Sequence, residues 1–274
     1  MNRIDRVFVN RGVGTVGRAF VAYLTAGDPD MDTSLQLMLA VSDCGADILE
    51  IGIPFSDPIA DGPVIQSAFQ RALRNGTNVA KVLELVSRLR ERSDIAIVLF
   101  TYYNPVLQFG LERFAKKAAD VGADGVLILD LPVESCLKER NIFSNYGLHW
   151  VTLIAPTTPY ERAKKLADMS SGFIYYVSRE GVTGEQQSLA HDLVSKVRSM
   201  KSIFYLPICV GFGISNRSHV RAISEIADGV VVGSALVRRV ESAITSGTNP
   251  VLVMKDFLIP LVEEAHSAEK VAAA

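Results

Sequence analysis

A recurring junction limits the architectures open to this chain: a helical segment ends at glycine, and a short apolar strand follows at once. It occurs as CGADILEIG from Cys44, VGADGVLILD from Val121, YGLHWVTLIAP from Tyr146, SGFIYYVS from Ser171 and IADGVVVGSA from Ile226. Glycine just past a helix supplies the left-handed residue that stops it, and unbroken apolar runs are typical of parallel strands covered on both faces. On this pattern, strands are predicted near Phe20–Leu24, Asp47–Ile51, Ile95–Phe100, Gly125–Leu129, Leu148–Ile154, Phe173–Val177, Pro207–Val210 and Gly229–Val232. Helical stripes fall between them, such as Val79, Val82, Leu83, Val86 and Leu89, or Phe114, Ala118 and Val121.

Eight β/α units in 274 residues match the α/β class and, within it, the (β/α)₈ or TIM barrel, which uses ~250 residues. A doubly wound open sheet is the competitor, but no G-x-G-x-x-G follows the first strand, and no linker or low-complexity stretch divides the chain. The expectation is therefore a single barrel domain over residues 1–274, with residues 1–19 as an N-terminal extension and 266–274 as a fraying tail.

Composition removes several function classes. The chain is 49% hydrophobic and 21% charged with a net charge of -2, which gives no electrostatic footprint for nucleic acid or an anionic membrane. No apolar run approaches a membrane span, and MNRIDRVFVNRGVGTVGR lacks the core of a signal peptide. Three cysteines (Cys44, Cys136, Cys209) are too scattered for disulfides or zinc, and His149, His191, His219 and His266 show no ligand spacing, so no metal site is expected. Cys44 and Cys209 read as buried small side chains. A reducing, cytoplasmic home follows; a plastid would call for a transit peptide, and none is seen.

Chemistry concentrates in Gly45–Pro63, GADILEIGIPFSDPIADGP. Glu50 lies inside an apolar strand, and Asp61 lies in the Pro/Gly-punctuated loop that follows. A carboxylate in a dry strand is costly unless paired or neutralised, and two carboxyls in unlike surroundings differ in proton affinity, which can separate an acid from a base. A buried ion pair for Glu50 and a turn or helix cap for Asp61 would also account for them. On a barrel, catalytic groups lie at the C-terminal strand ends and in the loops beyond. Strand alternation puts Ile48, Glu50 and Gly52 on one face, with Asp130 ending the fourth strand and Tyr175 near the end of the sixth.

Two further segments fit a ligand site. Gly211-Phe212-Gly213-Ile214 follows the seventh predicted strand and Gly233-Ser234-Ala235-Leu236 the eighth, where barrels commonly bind phosphate on backbone amides and a helix N-terminus. Two turn-forming glycine clusters would be the plainer reading, but two in register after these strands favour phosphate binding. The polar connection Ser178-Arg179-Glu180-Gly181-Val182-Thr183-Gly184, continuing to Ser188, has the length of a lid and equally of a solvated crossover.

Together these residues resemble the α subunit of tryptophan synthase. The likeness runs over essentially the whole chain and is most specific at LEIGIPFSDPIADGP (Leu49–Pro63), TYYNPV (Thr101–Val106), DLPVE (Asp130–Glu134), SREGVTG (Ser178–Gly184) and VGFGI (Val210–Ile214). The resemblance implies cofactor-free retro-aldol cleavage of indole-3-glycerol phosphate to indole and glyceraldehyde 3-phosphate. It implies Glu50 as the acid/base and Asp61 as the partner of the indole N–H. It further implies Tyr175 positioning Glu50, Thr183 engaging Asp61, and Tyr23 and Phe100 lining the indole pocket. The phosphate would lie on Gly184, Gly213, Gly233 and Ser234, in the loops that hold Gly211 and Phe212. The partner implied is a pyridoxal-phosphate β subunit in an α2β2 heterotetramer. A free-standing lyase and a mainly regulatory phosphate-ligand-binding subunit are the alternatives. Ile53-Pro54-Phe55 and Pro58-Ile59 suit a partner face or local packing equally well.

Overall fold

The computed structural model describes residues 1–11, 17–132, 136–177, 187–202, 204–211 and 213–268, with backbone alone for 187–192. Its strands are β1 (Ala19–Thr25), β2 (Ile48–Gly52), β3 (Ala96–Thr101), β4 (Gly125–Ile128), β5 (His149–Trp150), β6 (Thr152–Ile154), β7 (Ile174–Val177), β8 (Ile208–Gly211) and β9 (Gly229–Val232). The helices are α1 (Arg3–Asn10), α2 (Met31–Asp43), α3 (Pro63–Arg74), α4 (Val79–Arg90), α5 (Tyr103–Phe109), α6 (Leu111–Asp120), α7 (Leu137–Asn145), α8 (Tyr160–Met169), α9 (Gln187–Lys201), α10 (Arg217–Ser224), α11 (Ser234–Ser246) and α12 (Pro250–Ser267).

All strand pairs are parallel, in the order β5-β4-β3-β2-β1-β9-β8-β7-β6. The two ends of this sheet are consecutive in the chain, so it curls into a nearly closed barrel. The eight predicted strands become nine because the fifth divides at Val151. Trp150 pairs with β4 and also meets Ser171, its N–H donating to Ser171 Oγ at 2.8 Å, whereas Thr152–Ile154 pairs with β7. Val151 keeps the path continuous by donating its N–H to the Val126 carbonyl at 2.9 Å.

Two cores explain why the strands read as unbroken apolar runs. Val21, Tyr23, Ile48, Val98, Leu127 and Val231 pack inside the barrel, while Phe20, Leu24, Leu49, Ile51, Ile97 and Leu99 pack outward against the helices. Burial on both faces removes the polar alternation of a half-exposed strand. The glycine punctuation holds where it is followed by a turn, with Gly45 at φ +87° and Gly122 at φ +89°. In the Ile226 segment it has another meaning: Gly229 lies in β9, where an added Cβ would come within 2.5 Å of Cys209 Sγ. Cys209 and Cys136 are buried, but Cys44, at the C-cap of α2, is only half-buried.

The N-terminal extension carries α1, which closes the bottom of the barrel. Ile4 is fully buried there, and the Phe8 ring lies 5.8 Å from that of Phe173. Charge secures this plug: buried Asp124 accepts hydrogen bonds from Arg3 Nη1 (3.1 Å), Arg90 Nη2 (3.3 Å) and the Ile97 amide (2.8 Å). At the other terminus α12 runs to Ser267, two residues into the segment expected to fray. His266 Nε2 lies 2.8 Å from Asp47 Oδ2, and Arg18 N–H donates to the Ala265 carbonyl at 2.8 Å.

Candidate active site

Glu50 is the central strand residue of β2, in register with Tyr23 on β1 and Val98 on β3. It is 1% exposed, and its Oε1 has no hydrogen-bond partner among the described residues. Among the described residues no ion pair makes it structural. Burial alone pushes its carboxyl up from the ordinary 4.5 to about 8, so the neutral acid is the resident form at pH 7.

Asp61 is positioned by the start of α3, where Gly62 is the N-cap and Pro63 the first helical residue. Its N–H donates to the Pro58 carbonyl at 3.1 Å, and its own carbonyl accepts from Gln66 Nε2 at 2.9 Å. Its carboxylate accepts a 2.7 Å hydrogen bond from Tyr102 Oη. Burial raises the carboxyl's proton affinity, and the Tyr102 hydrogen bond opposes that rise. The two carboxyls therefore differ in kind: Glu50 is dry, with no partner for Oε1 among the described residues, while Asp61 keeps a donor that favours its charged form.

The aromatic positions gather around this pair. Tyr23 is 5% exposed and meets Phe100 edge to face, with ring centroids 5.2 Å apart and planes at 77°. Its hydroxyl lies 3.5 Å from Thr25 Oγ1, directly over Gly52. Tyr175 enters the same space from β7, with its hydroxyl over Gly211, where an added Cβ would stand only 2.5 Å away. Burial raises the Tyr175 phenol well above its ordinary range, and the charge of Glu50 adds to the rise. No hydrogen bond joins Tyr175 to Glu50 among the described residues, although the two are close enough for the Glu50 charge to act on the phenol.

Glycine at position 52 is thus a packing requirement, because a methyl group there would overlap the Tyr23 phenol. Gly52→Ala is expected to lower the unfolding free energy by about 1–3 kcal/mol through overpacking. Urea denaturation measures it, and an unchanged midpoint would remove Tyr23 from the place described.

Gly211 ends β8, Gly213 follows it at φ +72°, and Gly233 and Ser234 form the N-terminus of α11. A Cβ on Gly233 would sit 3.4 Å from the Tyr23 Cβ, so this helix start borders the aromatic wall. In the first turn of α11 the Leu236 N–H donates to the Gly233 carbonyl at 2.9 Å, while the Ser234 and Ala235 amides have no backbone acceptor among the described residues and suit an anion. Thr183, Gly184 and Phe212, and the connection 178–186, lie outside the described residues.

Asp130 has a local role, accepting the Tyr103 N–H at 2.6 Å at the start of α5. Ile53 is buried in the core, which leaves Ile59, 86% exposed, as the outward apolar residue of the loop after β2. Tyr102 was not among the residues expected in the site. Strand parity was the available signal, because Tyr102 follows Phe100 by two and shares its inward face. A cavity of about 450 Å³ opens elsewhere, beside Trp150, Thr152 and Arg162, and is lined by neither carboxylate. Among the described residues no cluster of three or more His, Cys, Asp or Glu is placed to hold a metal, and no helix is long and apolar enough to cross a membrane.

Residues 14–263 match the family model described as tryptophan synthase alpha chain. The chain belongs to that family. The tryptophan synthase alpha chain of Opitutus terrae is 48% identical over 237 residues, covering 86% of this chain and 89% of that one. The alpha chain of Geotalea daltonii is 45% identical, with 88% and 91% covered. Among solved structures, tryptophan synthase subunit alpha from Legionella pneumophila superposes with a TM-score of 0.87 at 34% identity, covering 97% of this chain and 98% of that one. A chain of the tryptophan synthase complex from Pyrococcus furiosus gives 0.81 at 40% identity, covering 91% and 100%. Every candidate residue lies within the span matched to tryptophan synthase alpha chains.

Proposed function

We propose that this chain is the lyase subunit of tryptophan biosynthesis, cleaving indole-3-glycerol phosphate to indole and glyceraldehyde 3-phosphate. The observation that carries the reading is Glu50: a buried carboxyl whose Oε1 has no partner among the described residues and which holds its proton near neutral pH, alongside Asp61, a carboxylate with a hydrogen-bond donor of its own. Protonated Glu50 delivers its proton to indole C3, and Asp61 accepts the ring N–H and stabilises the positive charge that builds on the ring. The carboxylate left on Glu50 then takes the proton of the adjacent glycerol hydroxyl. The bond between indole C3 and the glycerol carbon breaks, its electron pair returns to the ring, and the hydroxyl carbon becomes the aldehyde. Proton and electron balances close with no cofactor in this chain.

Tyr23 and Phe100 form the wall for the indole ring, and Tyr175 borders Glu50. Backbone amides around Gly211, Gly213, Gly233 and Ser234 take the phosphate, completed by Gly184 and Phe212, while Thr183 closes on Asp61. The chain works as one barrel domain in the cytoplasm, within an α2β2 assembly whose β subunit carries pyridoxal phosphate, receives indole and regulates the α site in return. The exposed Ile59 and the half-exposed Leu107 lie on the loop and helix beyond β2 and β3, where such a partner would sit.

The test is indole release from indole-3-glycerol phosphate, by the chain alone and after addition of a β subunit. Slow release that rises at least tenfold with the partner is the expected result. Equal, fast release in both conditions would mean a free-standing lyase, and no release in either would overturn the activity.

A further inference from the structure

We propose that Tyr102 is a positioning residue for the reaction, its hydroxyl joining the Asp61 carboxylate and the Ala60 amide into one hydrogen-bonded unit. The inference rests on the reading of Asp61 as the group that meets the indole N–H.

The geometry is a two-point tether through a single oxygen. Tyr102 Oη donates to Asp61 Oδ2 at 2.7 Å and accepts the Ala60 N–H at 3.0 Å, so consecutive loop residues are held on one atom. Tyr102 is itself immobilised. It is 1% exposed, its ring centroid lies 5.2 Å from that of Phe55, and it is the N-cap residue of α5. The next residue, Tyr103, anchors that helix start to Asp130. By contrast Asp57, Ile59 and Ala60 are exposed and contribute little packing of their own to the loop. The Gln66 side chain adds a brace from α3, donating to the Pro58 carbonyl at 3.3 Å and the Asp61 carbonyl at 2.9 Å. Gln66 thus fixes the backbone, while the catalytic carboxylate is aimed by Tyr102.

The direction of the bond is set chemically. Burial raises the Tyr102 phenol beyond its ordinary range and Asp61 raises it further, so the hydroxyl keeps its proton and remains the donor. Among the described residues the other titratable groups around this corner are Glu50 from β2, Tyr23 from β1, Tyr175 from β7 and Asp130 after β4. None is a cation. Against the burial that favours neutral Asp61, the Tyr102 hydrogen bond is the opposing contribution. A carboxylate that must receive an N–H and face a developing positive charge has to be ionised before substrate arrives.

Tyr102→Phe keeps the ring against Phe55 and deletes only the hydroxyl. The experiment follows the Asp61 carboxyl carbon by NMR in ¹³C-aspartate-labelled protein without substrate, assigned with Asp61→Asn, alongside kcat/KM for indole-3-glycerol phosphate from pH 5.5 to 9. The expected result is an upward shift of about one pH unit in the Asp61 titration. The acid limb of kcat/KM should move by the same amount, with about tenfold loss below it and recovery at high pH. Phe55→Leu, which disturbs the packing but keeps the hydroxyl, should leave that titration in place. An unmoved titration in Tyr102→Phe, or a loss of activity equal at every pH, would overturn the proposal. Full activity in Asp61→Asn would instead overturn the reading of Asp61, a result separable from the substrate-free titration.

Discussion

Glu50→Gln should lower kcat for indole-3-glycerol phosphate cleavage by about 10²–10⁴-fold, the range a single general acid/base supplies. The amide matches the carboxyl in size but can neither deliver a proton to indole C3 nor take one from the glycerol hydroxyl. Ligand binding should persist, because the proposed phosphate contacts are backbone amides and the proposed ring contacts are aromatic. Binding of the cleavage-resistant analogue indole-3-propanol phosphate, together with activation of an added β subunit, separates lost chemistry from lost binding. In the unsubstituted protein, kcat/KM should fall as pH rises past about 8, where Glu50 gives up the proton it must donate. Cleavage retained in Glu50→Gln would remove Glu50 from the acid/base role.

The same substitution should stabilise the fold, and increasingly so with rising pH. Folding moves the Glu50 carboxyl from its ordinary 4.5 to about 8, so between those values the folded state binds a proton that the unfolded state has released. Stability tied to this group is fully present below about 4.5, declines through that window and levels off above 8. Glutamine does not titrate, and its advantage should therefore be small at pH 4.5 and reach roughly 4–5 kcal/mol by pH 8.5. Urea denaturation of both proteins at the two pH values isolates the effect, because all other titrating groups are common to them. Equal pH slopes would mean that Glu50 is not buried as described. The two expectations are linked, since the desolvation that makes Glu50 a proton donor at neutral pH also makes its ionised form a cost to the fold.

Much of the architecture was legible along the chain because it is encoded over short distances. A glycine after a helix, such as Gly45 or Gly122, stops it through its own backbone conformation. The apolar runs of β2 and β3 report burial on both sheet faces, and alternation placed Ile48, Glu50 and Gly52 together. The anomaly of Glu50 was visible in the same way, as one carboxyl in an otherwise dry strand. Family-specific stretches such as Leu49–Pro63 carried the rest of the functional reading.

Other features depend on which distant segments meet. Asp61 and Tyr102 are 41 positions apart, and no local rule pairs them until β2 and β3 lie in register and the loop after β2 folds back. Whether Glu50 had a counter-charge was equally undetermined, since any arginine or lysine brought round by barrel closure would have made it structural. Among the described residues closure brought tyrosines instead, and left Oε1 without a partner. The break at Val151 and the plug formed by α1 also belong to tertiary structure, because each depends on the twist and closure of a sheet whose ends are halves of one strand. Local sequence thus determined the elements, their inward faces and the presence of two carboxyls at one end of the barrel. Register and closure decided what surrounds those carboxyls, and the surroundings set their proton affinities, because desolvation and hydrogen bonding act through space and not along the chain.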